Sequence, residues 1–146
     1  MVSLKESHKK GFDATVLEKV SGVGGAFRVA YDHMFLTIST KLMGYSDFAW
    51  AGRPRYAPRA GYVKYLERYV SFFQLEDGLS FNTDVTGAVL KDNGKWEVEA
   101  KKDGKKMVMK ADRLIICTGS NHNPKYALVP GFTVETKHSS DWRSNK

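Results

Sequence analysis

The sequence has one cysteine among 146 residues, only four prolines, and no run of about eighteen apolar residues that would predict a membrane span. A single thiol, Cys117, excludes an intramolecular disulfide and with it the small disulfide-bonded folds of secreted proteins. The N-terminal segment MVSLKESHKKGF carries charges where a secretion signal has its apolar core. These absences favour a cytoplasmic protein.

The composition predicts a folded globular domain, because 42% of the residues are apolar and 12% are aromatic. The net charge of +7 comes largely from lysine pairs such as Lys101-Lys102 and Lys105-Lys106. These pairs flank a predicted hairpin turn, where lysines are usually solvated. The charge therefore leaves a protein that binds nucleic acid or an acidic surface as an alternative hypothesis only. Nucleic acid is not favoured as a partner.

Hydrophobic spacing predicts the order of the elements. Residues 1–61 hold the end of a helix, a core strand within DATVLEK, a glycine-rich loop and a connector, and residues 62–75 have the apolar spacing of a helix. Over residues 79–110 the period becomes two, which predicts an antiparallel β-meander with DNG and KDG turns. The run LIIC within residues 111–119 predicts a core strand buried on both faces, with Cys117 in the core, and residues 120–146 form a tail.

The stretch DATVLEKVSGVGGAF carries the most specific signal. An apolar strand that ends on an acid and leads to paired glycines is typical of the second strand of a dinucleotide-binding βαβ unit. At that position the Glu18 carboxylate can accept both ribose hydroxyls of an adenine nucleotide, and its charge disfavours a 2′-phosphate. The alternative is a surface acid at a strand end.

Glycines and neighbouring residues at two further places are candidates for the same site. Gly24 and Gly25 allow the backbone to approach a cofactor closely, or simply form a tight loop, and Phe27 packs beside the cofactor or in the core. Thr118 and Gly119 close the predicted core strand, at the sheet edge where open α/β sheets bind ligands. The histidines show no metal-ligand spacing with cysteines or acids, so we expect no metal site.

Six segments, in order along nearly the whole chain, resemble the flavin-containing monooxygenases and the related Baeyer–Villiger monooxygenases. They are TVLEK…GVGGAF, GYSDF, the helix YVKYLERYVSFFQL, the meander FNTDVTGAV…KWEVEA, the strand end IICTGSNHNP and FTVETKHSSDW. The last is similar to the family fingerprint F-x-G-x-x-x-H-x-x-x-W at Phe132, His138 and Trp142, with Val134 in place of its glycine.

The resemblance implies an α/β fold, namely a Rossmann-like FAD-binding domain with a parallel core sheet and an antiparallel β-meander. It implies FAD and NADPH as cofactors, with Glu18, Gly24, Gly25, Phe27, Val85, Thr118 and Gly119 on the FAD side. Val85 stands where the meander of the family passes the adenine, although a valine in a strand is more often plain packing. Thr37 stands where the family has an asparagine near the flavin, so Thr37 and His138 are the catalytic candidates.

The sequence also departs from the family. Its first twelve residues match the end of the helix that follows the glycine-rich FAD loop, and it ends before the NADPH-binding domain of the family. We therefore expect residues 1–146 to form a single partial FAD-binding domain that lacks the first glycine-loop strand and the NADPH domain. His138 is then expected to be a solvent-exposed residue of the tail.

The resemblance implies oxygen insertion into a soft heteroatom or a ketone of a small molecule through a peroxyflavin. We expect this activity to be weak or absent in the chain alone, because a helix N-terminus with its glycine loop is the main anion site for a dinucleotide. Alternatives are a non-catalytic binding or regulatory protein and a split subunit. An incomplete sheet would associate as a homo-oligomer or with a partner chain that completes it.

Overall fold

The computed structural model describes residues 1–50, 54–120 and 123–144. The beginning of the predicted connector (51–53), His122 and the last two residues of the tail lie outside the described residues. The described part has four α-helices, α1 to α4: Val2–Lys9, Ala26–Val29, Thr40–Met43 and Arg59–Phe72. Its five strands, β1 to β5, are Val16–Leu17, Leu79–Ser80, Thr83–Leu90, Trp96–Lys102 and Lys105–Ala111, and a 3₁₀ turn covers Glu76–Gly78.

The strands form two sheets, which confirms the predicted combination of parallel and antiparallel pairing. β1 and β2 pair in parallel, with Val16 opposite Leu79. β3, β4 and β5 form an antiparallel sheet in that order, with a bulge between Val85 and Gly87. Along β4, buried Val98 and Ala100 alternate with exposed Glu99 and Lys101, which is the period of two that the sequence predicted.

The chain divides into two compact units. The first unit consists of Met1–Val23 and Leu66–Cys117, and the second of Gly24–Tyr65 and Thr118–Lys146. The single domain predicted over residues 1–146 stays a prediction. Among the described residues, no helix combines the length and apolar character that crossing a bilayer demands.

The core of the first unit lies where α1 meets the residues that follow α4. Leu4 is its buried residue on α1, and Tyr69 and Leu75 are fully or almost fully buried. Gly78 packs so closely on α1 that a Cβ atom there would lie 2.9 Å from Leu4 Cδ2 and 3.0 Å from His8 Cε1. The absence of a side chain at Gly78 therefore allows α1 to lie against the start of β2.

The predicted core strand over residues 111–119 is not formed, and this prediction was wrong. β5 ends at Ala111, and no strand is assigned to the described residues that follow. Ile115 and Ile116 are 62% and 74% exposed, and Cys117 is exposed rather than buried. An apolar segment is buried on both faces only when strands pair with it and helices cover it, and the described residues provide no paired strand there.

The predicted helix over 62–75 is α4, which starts and ends three residues earlier. It ends at Phe72, and Gln74 then takes a left-handed backbone conformation with φ of 52°. The Leu75 N–H donates to the Val70 carbonyl at 3.0 Å, which satisfies one of the carbonyls left open at the helix end. Apolar periodicity continued past the helix because Leu75 is buried after the turn.

We expect Gly78→Ala to lower the free energy of unfolding by about 1–3 kcal/mol, because the new methyl group overpacks the contact with Leu4 and His8. Gly87→Ala is the matched control, since its nearest atom to a new Cβ is Glu99 Oε2 at 3.9 Å. Urea unfolding of both variants measures the difference. Equal stabilities of the two variants would show that α1 does not pack against Gly78 as described.

Candidate functional site

Glu18 directly follows β1 and is held by backbone hydrogen bonds on two sides. Its N–H donates to the Ser80 carbonyl at 2.9 Å, and its carbonyl accepts from the Thr83 N–H at 2.9 Å. The side chain turns back so that Oε1 accepts from the Val20 N–H at 3.1 Å. The second carboxylate oxygen makes no hydrogen bond to the residues that the structure describes, so it is available to a ligand hydroxyl.

The start of β3 lies beside Glu18. The Asn82 N–H donates to the Val20 carbonyl at 3.2 Å, and Lys19 forms an ion pair with Asp84 at 3.2 Å. Val85 follows on the same strand, opposite Ala100, and is 44% exposed. Within the first unit, the structure therefore brings together two of the predicted cofactor-binding residues, Glu18 and Val85, at neighbouring strand positions.

The first turn of α1 contacts the segment that follows β5. Ser3 Oγ lies 4.0 Å from Cys117 Sγ. Burial lowers the pKa of the Met1 amino group, while the nearby Cys117 and Glu18 act in the opposite direction. The first unit thus places the Met1 amino group and the Glu18 carboxylate near one another.

The paired glycines belong to the second unit, where the backbone has conformations that favour glycine. Gly24 and Gly25 have φ of 128° and 50°, conformations that residues with side chains rarely adopt. A Cβ atom on Gly24 would lie 3.2 Å from Arg28 Cβ and 3.4 Å from Val63 Cγ2. Gly25 caps the four-residue α2. The pair forms the tight loop that was one of the two readings, and a role toward a cofactor stays a prediction.

Phe27 packs in the second unit. Its ring meets the Tyr62 ring edge-on, with centroids 4.7 Å apart at an angle of 75°. Such a pair is worth about 0.5–1.5 kcal/mol beyond the area it buries. The structure therefore gives Phe27 a packing role, and contact with a cofactor stays a prediction.

Arg59 holds the carbonyl end of α2, a role that sequence reasoning missed. Its Nη1 donates to the Arg28 carbonyl at 2.7 Å and to the Phe27 carbonyl at 3.3 Å, and its Nη2 pairs with Asp32 at 3.1 Å. These are carbonyls that a helix of this length cannot satisfy itself. Nothing in the local sequence of the AGRPRYAPRAG connector distinguishes Arg59 from its neighbouring arginines.

Arg143, which lies in the tail, binds the next carbonyl of α2. Its Nη1 donates to the Val29 carbonyl at 2.5 Å, and its own carbonyl accepts from the Asp32 N–H at 2.9 Å. Because the guanidinium also donates to the Ser140 carbonyl at 3.0 Å, it joins two parts of the tail to α2. The predicted tail therefore has a defined attachment within the second unit.

His138 lies on a turn of the tail and is half-buried rather than freely exposed, so that expectation was wrong. Its Nδ1 lies 3.1 Å from the Ser140 backbone N and 2.9 Å from Ser140 Oγ. Asp141 Oδ1 accepts from Ser140 Oγ at 3.3 Å, and the Tyr126 ring lies 5.4 Å from the imidazole. The Asp141 carboxylate thus contacts the serine and not the imidazole, and the group is not a Ser-His-Asp relay.

Three predicted site residues are exposed in the second unit. Thr37 lies between buried Leu36 and α3, and Thr118 and Gly119 lie on the segment after β5, with φ of 76° at Gly119. Their roles toward a cofactor stay predictions. No group of three His, Cys, Asp or Glu side chains within the described ranges is arranged to hold a metal ion.

Aromatic rings form the packed part of the second unit around α4. Trp50 stacks on Tyr65 with centroids 4.9 Å apart, and Tyr62 stacks on Tyr65 at 5.9 Å. The Tyr65 hydroxyl accepts from the Tyr45 N–H at 2.7 Å and donates to the Phe48 carbonyl at 2.5 Å. Burial, together with the neighbouring Tyr45 and Tyr65, raises the pKa of Tyr62 to about 12.

A sequence profile of the family described as "FMO-like: Flavin-binding monooxygenase-like" matches residues 1–144. The chain belongs to this flavin-binding monooxygenase-like family. That assignment confirms the resemblance seen in the six sequence segments, and with it the Rossmann-type FAD-binding fold that the solved relatives share.

The named relatives align with most of this chain, but the alignment covers only a minor part of their own length. The chain is 30% identical to a 4-hydroxybenzoate brominase (decarboxylating) of Marinomonas mediterranea, over 98% of this chain and 29% of that protein. It is 27% identical to flavin-containing monooxygenase 1 of Mus musculus, over 98% of this chain and 31% of that protein. The chain therefore spans less than a third of the length of these relatives.

Solved structures of flavin monooxygenases match the fold. An S-allyl-L-cysteine S-oxygenase from Allium sativum matches 89% of this chain and 36% of its own, with a TM-score of 0.81 and 22% identity. A cyclohexanone monooxygenase from Rhodococcus sp. Phi1 bound to NADP+ matches 97% of this chain and 28% of its own, with a TM-score of 0.76 and 25% identity.

We expect the stability of the protein to fall as the pH rises from about 10 toward 12, partly through Tyr62. The folded chain raises the pKa of this phenol from 10.0 to about 12, so below pH 10 both states keep the proton, and above it the unfolded state loses the proton first. Tyr62→Phe should flatten this part of the pH dependence of the free energy of unfolding. Tyr56→Phe, at an exposed position, is the control, and parallel curves for parent and Tyr62→Phe would contradict the assignment.

Proposed function

We propose that the chain takes part in a FAD- and NADPH-dependent monooxygenase, with Glu18 as the acceptor for the ribose of FAD. The observation that carries the proposal is the geometry of Glu18. Backbone bonds to Ser80 and Thr83 fix its position, and the Val20 N–H orients the carboxylate through one oxygen. The other oxygen is left for a ribose hydroxyl, which is the chemistry of an acid at the end of the second strand of a dinucleotide site.

The residues of the first unit suit the adenosine part of FAD. The exposed side of Val85 offers an apolar contact for the adenine. When bound, the flavin supplies the activation of dioxygen, and this chain binds and orients the cofactor. Gly24, Gly25, Thr118 and Gly119 of the second unit are proposed as further backbone contacts, and Thr37 and His138 as the candidates nearer the chemistry.

The substrate class is proposed as a small molecule with a soft heteroatom or a ketone. Support comes from the names of the relatives, which include an S-oxygenase and a cyclohexanone monooxygenase. NADPH as reductant is supported by the solved relatives bound to NADP or NADP+. The cytoplasmic location remains a prediction, supported by the single cysteine.

We also propose that the segment 114–117, which follows β5, pairs with a strand from a second copy of the chain. Its apolar side chains Ile115 and Ile116 are both exposed. Its backbone also has no strand partner in the described ranges. Exposed apolar strands of this kind associate by adding a strand.

We expect the purified chain to bind FAD and 5′-AMP, and Glu18→Ala to weaken 5′-AMP binding roughly 10- to 100-fold through loss of charge-assisted hydrogen bonds to the ribose. Isothermal titration measures 5′-AMP affinity, and the visible absorption spectrum after desalting reports retained FAD. Glu18→Gln keeps an oxygen acceptor and should lie between the two. Glu99→Ala, an exposed carboxylate of the same unit, is the control. Unchanged affinity of a folded Glu18→Ala variant would rule out the ribose role.

We expect the chain to form dimers whose dissociation constant rises at least tenfold in Ile116→Lys, because a charge is then buried at the added strand. Light scattering over a concentration series measures the mass. Val108→Lys on β5, 60% exposed, is the matched control. A parent chain that stays monomeric would exclude self-pairing, and a purified heteromer would point to a different partner chain.

A further inference from the structure

The β4–β5 hairpin ends in a basic tip, residues 101–106, whose sequence KKDGKK holds four lysines and one acid. All six residues are exposed. Asp103 and Gly104 form the turn, and both have positive φ, 47° and 80°, as is typical of a tight two-residue hairpin turn. A Cβ atom on Gly104 would meet no atom of the described residues within 4 Å, so the hairpin tip borders open space.

The strand register places the lysines of the hairpin tip directly opposite one another. Lys101 on β4 is opposite Lys106 on β5, and Lys102 is opposite Lys105. Side chains that are directly opposite in an antiparallel pair share a face of the sheet, and like charges in such positions are destabilising. The two adjacent lysine pairs therefore lower the stability of the hairpin.

The surroundings of the hairpin tip do not neutralise this charge. Asp84 lies opposite Lys101 on β3, but its carboxylate forms its ion pair with Lys19, at 3.2 Å. The Lys102 ammonium donates to the Ser80 hydroxyl at 3.0 Å, and this acceptor is uncharged. Lys101 and the two lysines of β5 form no ion pair with any residue that the structure describes.

The other end of the same sheet differs in this respect. Lys91 pairs with Glu97 at 2.9 Å, and Lys95 pairs with Asp112 at 2.5 Å. The sheet thus neutralises its lysines at one end and leaves them unpaired at the end where the chain turns. A destabilising arrangement of unpaired lysines at an exposed turn favours a role in binding an anionic partner.

We propose that the hairpin tip binds an anionic lipid surface, which the turn approaches end-on. A lysine ammonium is a compact charge on a flexible stem, and it suits the diffuse negative potential of lipid headgroups. The hairpin tip has no aromatic or arginine side chain to anchor a protein interface, and no aromatic ring on which a nucleic-acid base could stack. Exposed Glu99 lies on the face that Lys101 and Lys106 share, so its charge disfavours an approach by the whole face.

Co-sedimentation of the full chain with phosphatidylcholine vesicles, prepared with and without phosphatidylserine, tests the proposal. We expect binding only in the presence of phosphatidylserine, and its loss at about 1 M salt, where the screening length is about 3 Å. Lys105→Gln combined with Lys106→Gln should weaken binding about 25-fold, because each lysine near an anionic membrane contributes about fivefold.

Lys91→Gln combined with Lys95→Gln is the matched control, since it removes the same net charge from paired lysines at the other end of the sheet. We expect it to weaken vesicle binding less than about fivefold. Equal losses in the two double variants would overturn the assignment to the hairpin tip. Equal binding to both kinds of vesicle would overturn the proposal as a whole.

Lys106→Glu separates binding from folding. It replaces a repulsive cross-strand pair with an attractive one to Lys101, so Tm should rise while vesicle affinity falls about 25-fold. Unchanged vesicle affinity in this variant would contradict the proposal. So would tighter binding of the parent chain to duplex DNA or to polyglutamate than to the vesicles, which would indicate a nucleic acid or an acidic protein as the partner.

The affinity of the same variants for 5′-AMP distinguishes this surface from the proposed ribose site. We expect the hairpin-tip variants to keep the 5′-AMP affinity of the parent chain, and Glu18→Ala to keep its vesicle binding. A loss of 5′-AMP affinity in the hairpin-tip variants, with no vesicle binding by the parent chain, would assign the lysines to the nucleotide and overturn the lipid proposal. Vesicle binding by a chain that does not bind 5′-AMP would uphold it and count against the proposed function alone.

Discussion

The backbone pairing of residues 16–20 with residues 79–83 is the constraint on which the first unit depends. The parallel β1–β2 pair is only two residues long, but the ladder continues through the bonds of Glu18 and Val20 to Ser80, Asn82 and Thr83. This extension fixes a carboxylate at the end of a strand without a long sheet around it. It also places the start of β3 beside that carboxylate, so one short ladder positions both predicted ribose and adenine contacts.

Sequence reasoning found what local pattern determines. Glu18 was identifiable because an acid ending an apolar run before paired glycines is a pattern that a few residues carry by themselves. The meander was identifiable because the alternation of Val98 and Ala100 with Glu99 and Lys101 reflects one covered face. The positive φ angles at positions 24 and 25 explain why both residues are glycines. They do not distinguish a tight loop from a cofactor contact.

What the sequence did not predict depends on neighbours distant in the chain. The LIIC segment has the composition of a buried strand, yet Ile116 is exposed, because burial depends on pairing strands and not on the residue itself. Arg59 was missed for a related reason. It acts through backbone carbonyls of α2, and such contacts cannot be recognised from residue type or spacing.

The contact between Arg143 and Val29 has a consequence for how the chain folds during synthesis. These residues are 114 positions apart, and the second unit is discontinuous, with Leu66–Cys117 of the first unit inserted between its two parts. A ribosome must therefore synthesise the chain as far as Arg143 before the Val29 carbonyl of α2 can receive this hydrogen bond. Until then the Val29 carbonyl is hydrogen-bonded to water. Closing a loop between residues so far apart in the chain has an entropic cost, which arises only after Arg143 has been synthesised.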